Sequence, residues 1–191
     1  VNVTANFEIN LYSLAYTAGE HGSVSGDLSQ TVSYGGNGTA VTAEPATGYH
    51  FVDWSDGVTD NPRTDLNVIA DISVTANFAI NTYTLLYSAG SNGTIAGDTP
   101  QIVTHGSDGA QVTAVPDPHY HFVEWSDGST DNPRTDTNVT ADLAVEALFA
   151  IDTFTLEYLA DLGGYIDGVT SQTVEYGQDG TLVTATPDSG Y

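Results

Sequence analysis

The sequence repeats itself every 71 residues. Trp54 recurs as Trp125, Arg63 as Arg134, and Pro45 as Pro116 and Pro187, while Tyr12 returns as Tyr83 and Phe154. Residues 49–71 and 120–142 differ at only four of 23 aligned positions (Asp53/Glu124, Val58/Ser129, Leu66/Thr137 and Ile69/Thr140), leaving 19 identities. A fixed period of this size marks a tandem array in which each copy is one folding unit. At 71 residues per copy the 191 residues hold about 2.7 copies. The spacing divides the chain into the last strand of a preceding repeat (1–10), a complete repeat (11–81), a second complete repeat (82–152) and a truncated one (153–191). Residues 1–10 (VNVTANFEIN) match 72–81 (ISVTANFAIN), and Tyr191 aligns with Tyr49 and Tyr120. The expectation is a window cut from a longer array rather than a circularly permuted three-unit protein.

Within a copy the side chains alternate as in strands. Ile72, Val74, Ala76, Phe78 and Ile80 share one face, and Ser73, Thr75, Asn77 and Ala79 the other. The same parity runs through Val1–Ile9 and Leu143–Ile151, and a period of two over nine residues indicates a half-buried strand. Tyr12, Leu14 and Tyr16 form a second such face, and further strands are expected near 22–25, 29–34, 40–44 and 50–54. Asn37-Gly38, Asn92-Gly93, Asp108-Gly109 and Asp179-Gly180 supply turn chemistry between them. No helical stripe exceeds a turn or two. The fold class expected is all-β or β-rich, a tandem array of small repeats joined end to end. Only Asn81-Thr82 separates the last strand of one repeat from the first of the next, which predicts a restricted angle between repeats and a rod growing by roughly 30 Å per copy.

Charge narrows the function classes. The net charge is -23, and the only two cations are Arg63 and Arg134. Such a chain repels phosphate backbones and anionic membrane surfaces, so nucleic-acid binding is excluded. No apolar run approaches the ~20 residues of a membrane helix, so no membrane insertion is expected in this segment. With no cysteine there is no disulfide framework, and with no lysine no Lys–Asn isopeptide staple. Apolar residues at 40% and aromatics at 10% are nevertheless enough to build packed cores.

The densest polar segment runs from Trp54 to Asp65 and recurs at 125–136 with Val58 replaced by Ser129. Asp56, Asp60 and Asp65, with Asp127, Asp131 and Asp136, are hard oxygen ligands and so candidate Ca²⁺ ligands, although their spacing is not that of an EF-hand. An arginine amid these carboxylates offers them a partner without any metal. Arg63 and Arg134 are therefore read as structural, each in a bidentate pair with the first or second acid of its segment or stacked on the tryptophan. Trp54, Trp125, Phe78 and Phe149 are assigned to the core, in preference to an aromatic platform for sugars. His119-Tyr-His121, present in one copy only, is a weak zinc pattern. Neither a serine on a strained elbow nor a Gly-rich loop before a helix occurs, and every polar cluster recurs with the repeat, so no enzyme is expected and no cofactor beyond the Ca²⁺ candidate. Asn2, Asn37, Asn92 and Asn138 lie in glycosylation sequons.

Gly48-Tyr-His-Phe-Val-Asp-Trp-Ser-Asp-Gly57, then Asn61-Pro-Arg-Thr64 and Val74-Thr-Ala-Asn-Phe78, resemble the landmarks of the divergent internalin-type B-repeat, also called the Listeria–Bacteroides repeat. Tyr83-Thr-Leu-Leu-Tyr87, Asn92-Gly-Thr-Ile95 and Val112-Thr-Ala-Val-Pro116 fit the same pattern, so the resemblance covers the whole chain. It implies a compact β-grasp-like unit of secreted and surface-anchored bacterial proteins, serving as a spacer or adhesive module with no catalytic residues. The scarcity of cations departs from roles that need a basic patch. The expectation is a non-enzymatic extracellular or cell-surface stalk or fibre segment whose partners are its neighbouring repeats. Two alternatives are an adhesin module of low per-repeat affinity for glycan or a host or cell-surface protein, and a subunit of a filament formed by self-association.

Overall fold

The computed structural model describes all 191 residues and contains strands, turns and irregular segments but no helix. Sixteen strands follow one another. They are β1 (Leu11–Ala18), β2 (Gly22–Gly26), β3 (Ser29–Ser33), β4 (Val41–Pro45), β5 (Tyr49–Trp54), β6 (Ile72–Ile80), β7 (Thr82–Ala89), β8 (Gly93–Ala96), β9 (Gln101–Thr104), β10 (Thr113–Pro116), β11 (Tyr120–Trp125), β12 (Leu143–Ile151), β13 (Thr153–Glu157), β14 (Gly164–Asp167), β15 (Ser171–Glu175) and β16 (Thr184–Pro187). They fall into two compact units. One comprises Val1–Tyr83, Ile102–Ser107 and Thr137–Ala141; the other comprises Thr84–Gln101, Asp108–Asp136 and Asp142–Tyr191.

In the first unit a mixed sheet has the order β3-β1-β6-β5, with β1 and β6 parallel at its centre and antiparallel partners on either side. This β-grasp-like sheet is accompanied by an antiparallel ribbon of β2 and β4. The alternation of β6 does what its parity demands. Val74 and Ala76 are buried, Ile72 and Phe78 pack beside them, and Ser73 and Asn77 face water. Ile80, expected on the inner face, is 37% exposed because it ends the strand. Leu14, Tyr16, Val41, Ala43, Trp54 and Val68 complete the core. The ring of Phe78 lies directly on Gly22, where an added Cβ would come within 2.4 Å of it, so only glycine admits this approach.

Residues 1–10 correct one expectation. They carry the parity of β6 yet form no strand, and all ten are exposed. In β6 the same pattern is held between β1 and β5 of its own repeat, whereas no strand flanks residues 1–10. Alternation confers the capacity to bury a face; the ladder needs neighbours.

The second unit repeats the arrangement. β12 runs parallel to β7 and antiparallel to β11, with the β8–β10 ribbon beside them, and Leu85, Tyr87, Val112, Ala114, Trp125, Val145 and Ala147 are buried. Phe149 lies on Gly93 as Phe78 lies on Gly22. In the same unit β13 pairs with β15, and β14 with β16. Here the large side chains Leu159, Leu162 and Leu182 are open to water.

Candidate functional site

The segment between β5 and β6 carries the polar cluster. It leaves β5 at Trp54 in a tight turn, with the Trp54 N–H donating to the Val58 carbonyl, and then bridges to β4 through reciprocal bonds between Arg63 and Val41 at 2.8 and 2.9 Å. Asn61 extends that edge with its side chain. Its Oδ1 accepts the Ala43 N–H and its Nδ2 donates to the Ala43 carbonyl, both at 2.8 Å. These ties turn the Arg63 side chain inward, where the residue is only 4% exposed.

Four charge-assisted bonds hold the guanidinium. Nη1 and Nη2 donate to the two oxygens of Asp56 at 2.8 Å each. Nε and Nη2 donate to the two oxygens of Asp65 at 2.9 and 2.7 Å. Asp65 also accepts the Tyr16 hydroxyl at 2.7 Å, and the guanidinium lies 5.6 Å from the Trp54 ring centre. The indole Nε1 donates to the Asp60 carbonyl at 3.1 Å. Such fork-to-fork geometry is what makes arginine irreplaceable by lysine at this position. The second repeat reproduces the cluster with Arg134, Asp127, Asp136, Tyr87 and Trp125, the ring distance being 5.4 Å.

The electrostatics follow from this geometry. Hydrogen bonds from Arg63 hold the Asp56 and Asp65 carboxyls below the usual carboxylate range, against the opposing effect of burial. Arg134 does the same for Asp127 and Asp136. Burial, then the bond to the neighbouring carboxylate, raises the Tyr16 and Tyr87 hydroxyls, so both stay protonated donors. No buried side-chain polar atom lacks a partner.

The predicted residues thus separate. Asp56 and Asp65 converge on Arg63, and Asp127 and Asp136 on Arg134, whereas Asp60 and Asp131 expose their side chains and contribute only backbone carbonyls. Nowhere do three or more carboxylate or imidazole side chains gather into one group. Trp54 and Trp125 are 0% exposed, which leaves no indole face open to a sugar. Of the first and second acids expected as arginine partners, the first, Asp56, pairs through both oxygens and the second, Asp60, does not, while the third, Asp65, takes two further bonds. Asp65 lies two residues beyond the bridge in an irregular segment whose path brings both its oxygens to the guanidinium. The sequence reading missed Tyr16 and Tyr87 as donors to this cluster. It also missed Gln30, whose amide bonds the Asp27 and Thr39 carbonyls and the Thr39 N–H from a nearly buried position. Their recurrence at the 71-residue period was the available signal.

Each repeat ends in a single residue that is bonded on both sides. In the first unit the Asn81 N–H donates to the Gly48 carbonyl and the Asn81 carbonyl accepts the His105 N–H, both at 2.8 Å, while the His105 ring occupies the space a side chain at Gly48 would need. In the second unit Asp152 makes the equivalent bonds with His119 and Tyr176, again at 2.8 Å. There the rings of His119 and Tyr176 stack at 3.5 Å, and His121 bonds Asp152 at 3.0 Å. The histidine pair of the zinc pattern therefore has separate partners.

No curated protein and no solved structure matched the chain. The sequence profile of the divergent InlB B-repeat domain matches residues 12–82, 83–153 and 154–191, a period of 71 that coincides with the repeated arginine clusters. This family of repeat modules is found in surface and secreted bacterial proteins. The chain belongs to the divergent InlB B-repeat domain family, in three tandem copies.

Proposed function

We propose that this chain is a non-enzymatic spacer, a stalk segment that sets the distance between a bacterial surface and whatever the rest of the protein presents. One observation carries the reading. The polar cluster that recurs in every complete repeat is turned inward, with both arginines nearly buried and their bonds directed at carboxylates of the same loop. Its residues are committed to holding the loop and are not presented to a substrate. The single bonded residue between β6 and β7, and between β12 and β13, leaves no length of free chain for a floppy tether. Repeats that carry structure and no singular site can be added or lost without loss of function, which is what a length-setting element requires.

Small-angle scattering on the full chain and on a version lacking residues 83–153 tests this. A spacer shortens by roughly 30 Å when one repeat is removed. An unchanged maximum dimension defeats the reading. Binding of the full chain on a glycan array, lost in proportion to repeat number, would favour the adhesin alternative. Concentration-dependent growth in mass would favour the filament.

A further inference from the structure

Each complete repeat places its first and last strands side by side and parallel. β1 pairs with β6 from Leu14↔Ile72 to Ala18↔Ala76, and β7 with β12 from Leu85↔Leu143 to Ala89↔Ala147. In a parallel pair the start of one strand and the end of the other lie at opposite ends of the seam. The chain enters the first repeat at the start of β1 and leaves it at the end of β6. Tension carried along the polypeptide therefore slides the two strands past each other along their own axis. The evenly spaced bonds of the ladder are then loaded together, and none can open before the rest.

Side chains and turns cross the same seam. In the first unit the Ser13 N–H and hydroxyl donate to Asp71 Oδ1 at 2.8 and 3.1 Å. The Thr17 hydroxyl meets that of Thr75 at 2.8 Å and donates to the Val74 carbonyl at 3.3 Å, and the Gly19 N–H donates to the Ala76 carbonyl at 2.9 Å. In the second unit the Thr84 N–H bonds Asp142 at 2.8 Å, the Ser88 hydroxyl the Val145 carbonyl at 3.3 Å, and the Gly90 N–H the Ala147 carbonyl at 2.9 Å. In the first unit β3 also flanks β1 and β5 flanks β6, so neither strand of the clamp is a free edge there.

We infer that each complete repeat is a shear clamp that keeps its length under tension applied through the chain. This deepens the spacer reading and rests on it for its biological sense, because an anchored stalk that holds a partner is pulled at its two ends. From Leu11 to Ile80 the register spans 11 strand residues, about 36 Å. A repeat of 71 residues pulled straight reaches about 234–256 Å, so rupture of one clamp releases about 200–220 Å.

Single-molecule force spectroscopy on the full chain tests the clamp through the direction of pull. The chain has no cysteine, so two introduced thiols are unique attachment points. Asn10→Cys with Thr82→Cys loads the β1–β6 seam in shear; Asn10→Cys with Ala70→Cys attaches at one end of the seam and peels it bond by bond. All three positions are exposed, and circular dichroism verifies the fold of each variant. The clamp predicts a rupture force severalfold higher in shear than in peel, with a release of about 200–220 Å in shear. Equal forces in the two directions, or gradual extension in shear without a rupture event, overturn it. Failure here with the scattering increment intact removes the clamp and leaves the spacer; the reverse result removes the spacer and leaves the clamp.

Discussion

Replacing Arg63 by alanine removes four charge-assisted bonds, two to Asp56 and two to Asp65. Asp65, with its side chain 13% exposed, is left with the Tyr16 hydroxyl as its remaining side-chain donor. Removing one partner of a buried ion pair costs about 3–5 kcal/mol, because the other charge stays behind without compensation. Asp56, at 38% exposure, recovers water, which places the cost at the lower end, about 3 kcal/mol. For a domain of this size each kcal/mol moves the melting midpoint by about 4–8 °C, so the first repeat loses about 12–24 °C. Calorimetry of the full chain reads this directly, and the repeat that keeps Arg134 supplies an internal reference. The loss also depends on pH in a fixed direction. Asp56 and Asp65 have lowered pKa values in the folded state, so their contribution is complete above the unfolded carboxylate value and vanishes as pH falls through the folded one. The gap between wild type and variant is full at neutral pH and narrows below about pH 4. A midpoint unchanged at neutral pH would refute the reasoning, as would a penalty of the same size at acid and neutral pH, which would indicate lost packing alone.

Three further outcomes follow from the same geometry. Gly22→Ala drives a methyl into the Phe78 ring and destabilises its repeat by about 1–3 kcal/mol in urea titration, with Gly93→Ala doing the same against Phe149. Tyr16 and Tyr87 have raised folded pKa values, so stability is full below the unfolded tyrosine value of about 10 and falls as pH rises beyond it; stopped-flow fluorescence after an alkaline jump checks this. CaCl₂ and MgCl₂ at equal ionic strength give the same melting curve, because the Asp56 and Asp65 carboxylates are already occupied by Arg63; a Ca²⁺-specific rise would return those acids to the list of metal ligands.

What the sequence made legible was whatever depends on local spacing. The nine-residue alternation of 72–80 gave strand β6 and its buried face, and the pairing of two lone cations with two tryptophans at one period pointed to the Arg–Trp core. Contacts set by topology were not readable in this way. Ser13 and Asp71 meet across 58 residues, and Tyr16 and Asp65 across 49, because β1 and β6 lie parallel, and no periodicity along the chain encodes which strands become neighbours. The same limit explains residues 1–10, whose pattern matches β6 but which no strand flanks. The choice among the three acids around Arg63 turned on the path of an irregular loop, where neither helical nor strand spacing applies.

The claim on which the account turns is that each 71-residue repeat closes its own core around one fully buried indole whose N–H is bonded to the loop that carries the arginine. Indole resonances of the intact protein in D₂O test it without any substitution. Trp54 and Trp125 should give two Nε1–H signals, both protected from exchange, since each indole is fully buried and donates to a backbone carbonyl. An indole that exchanges within the dead time, or one protected and one not, would contradict it.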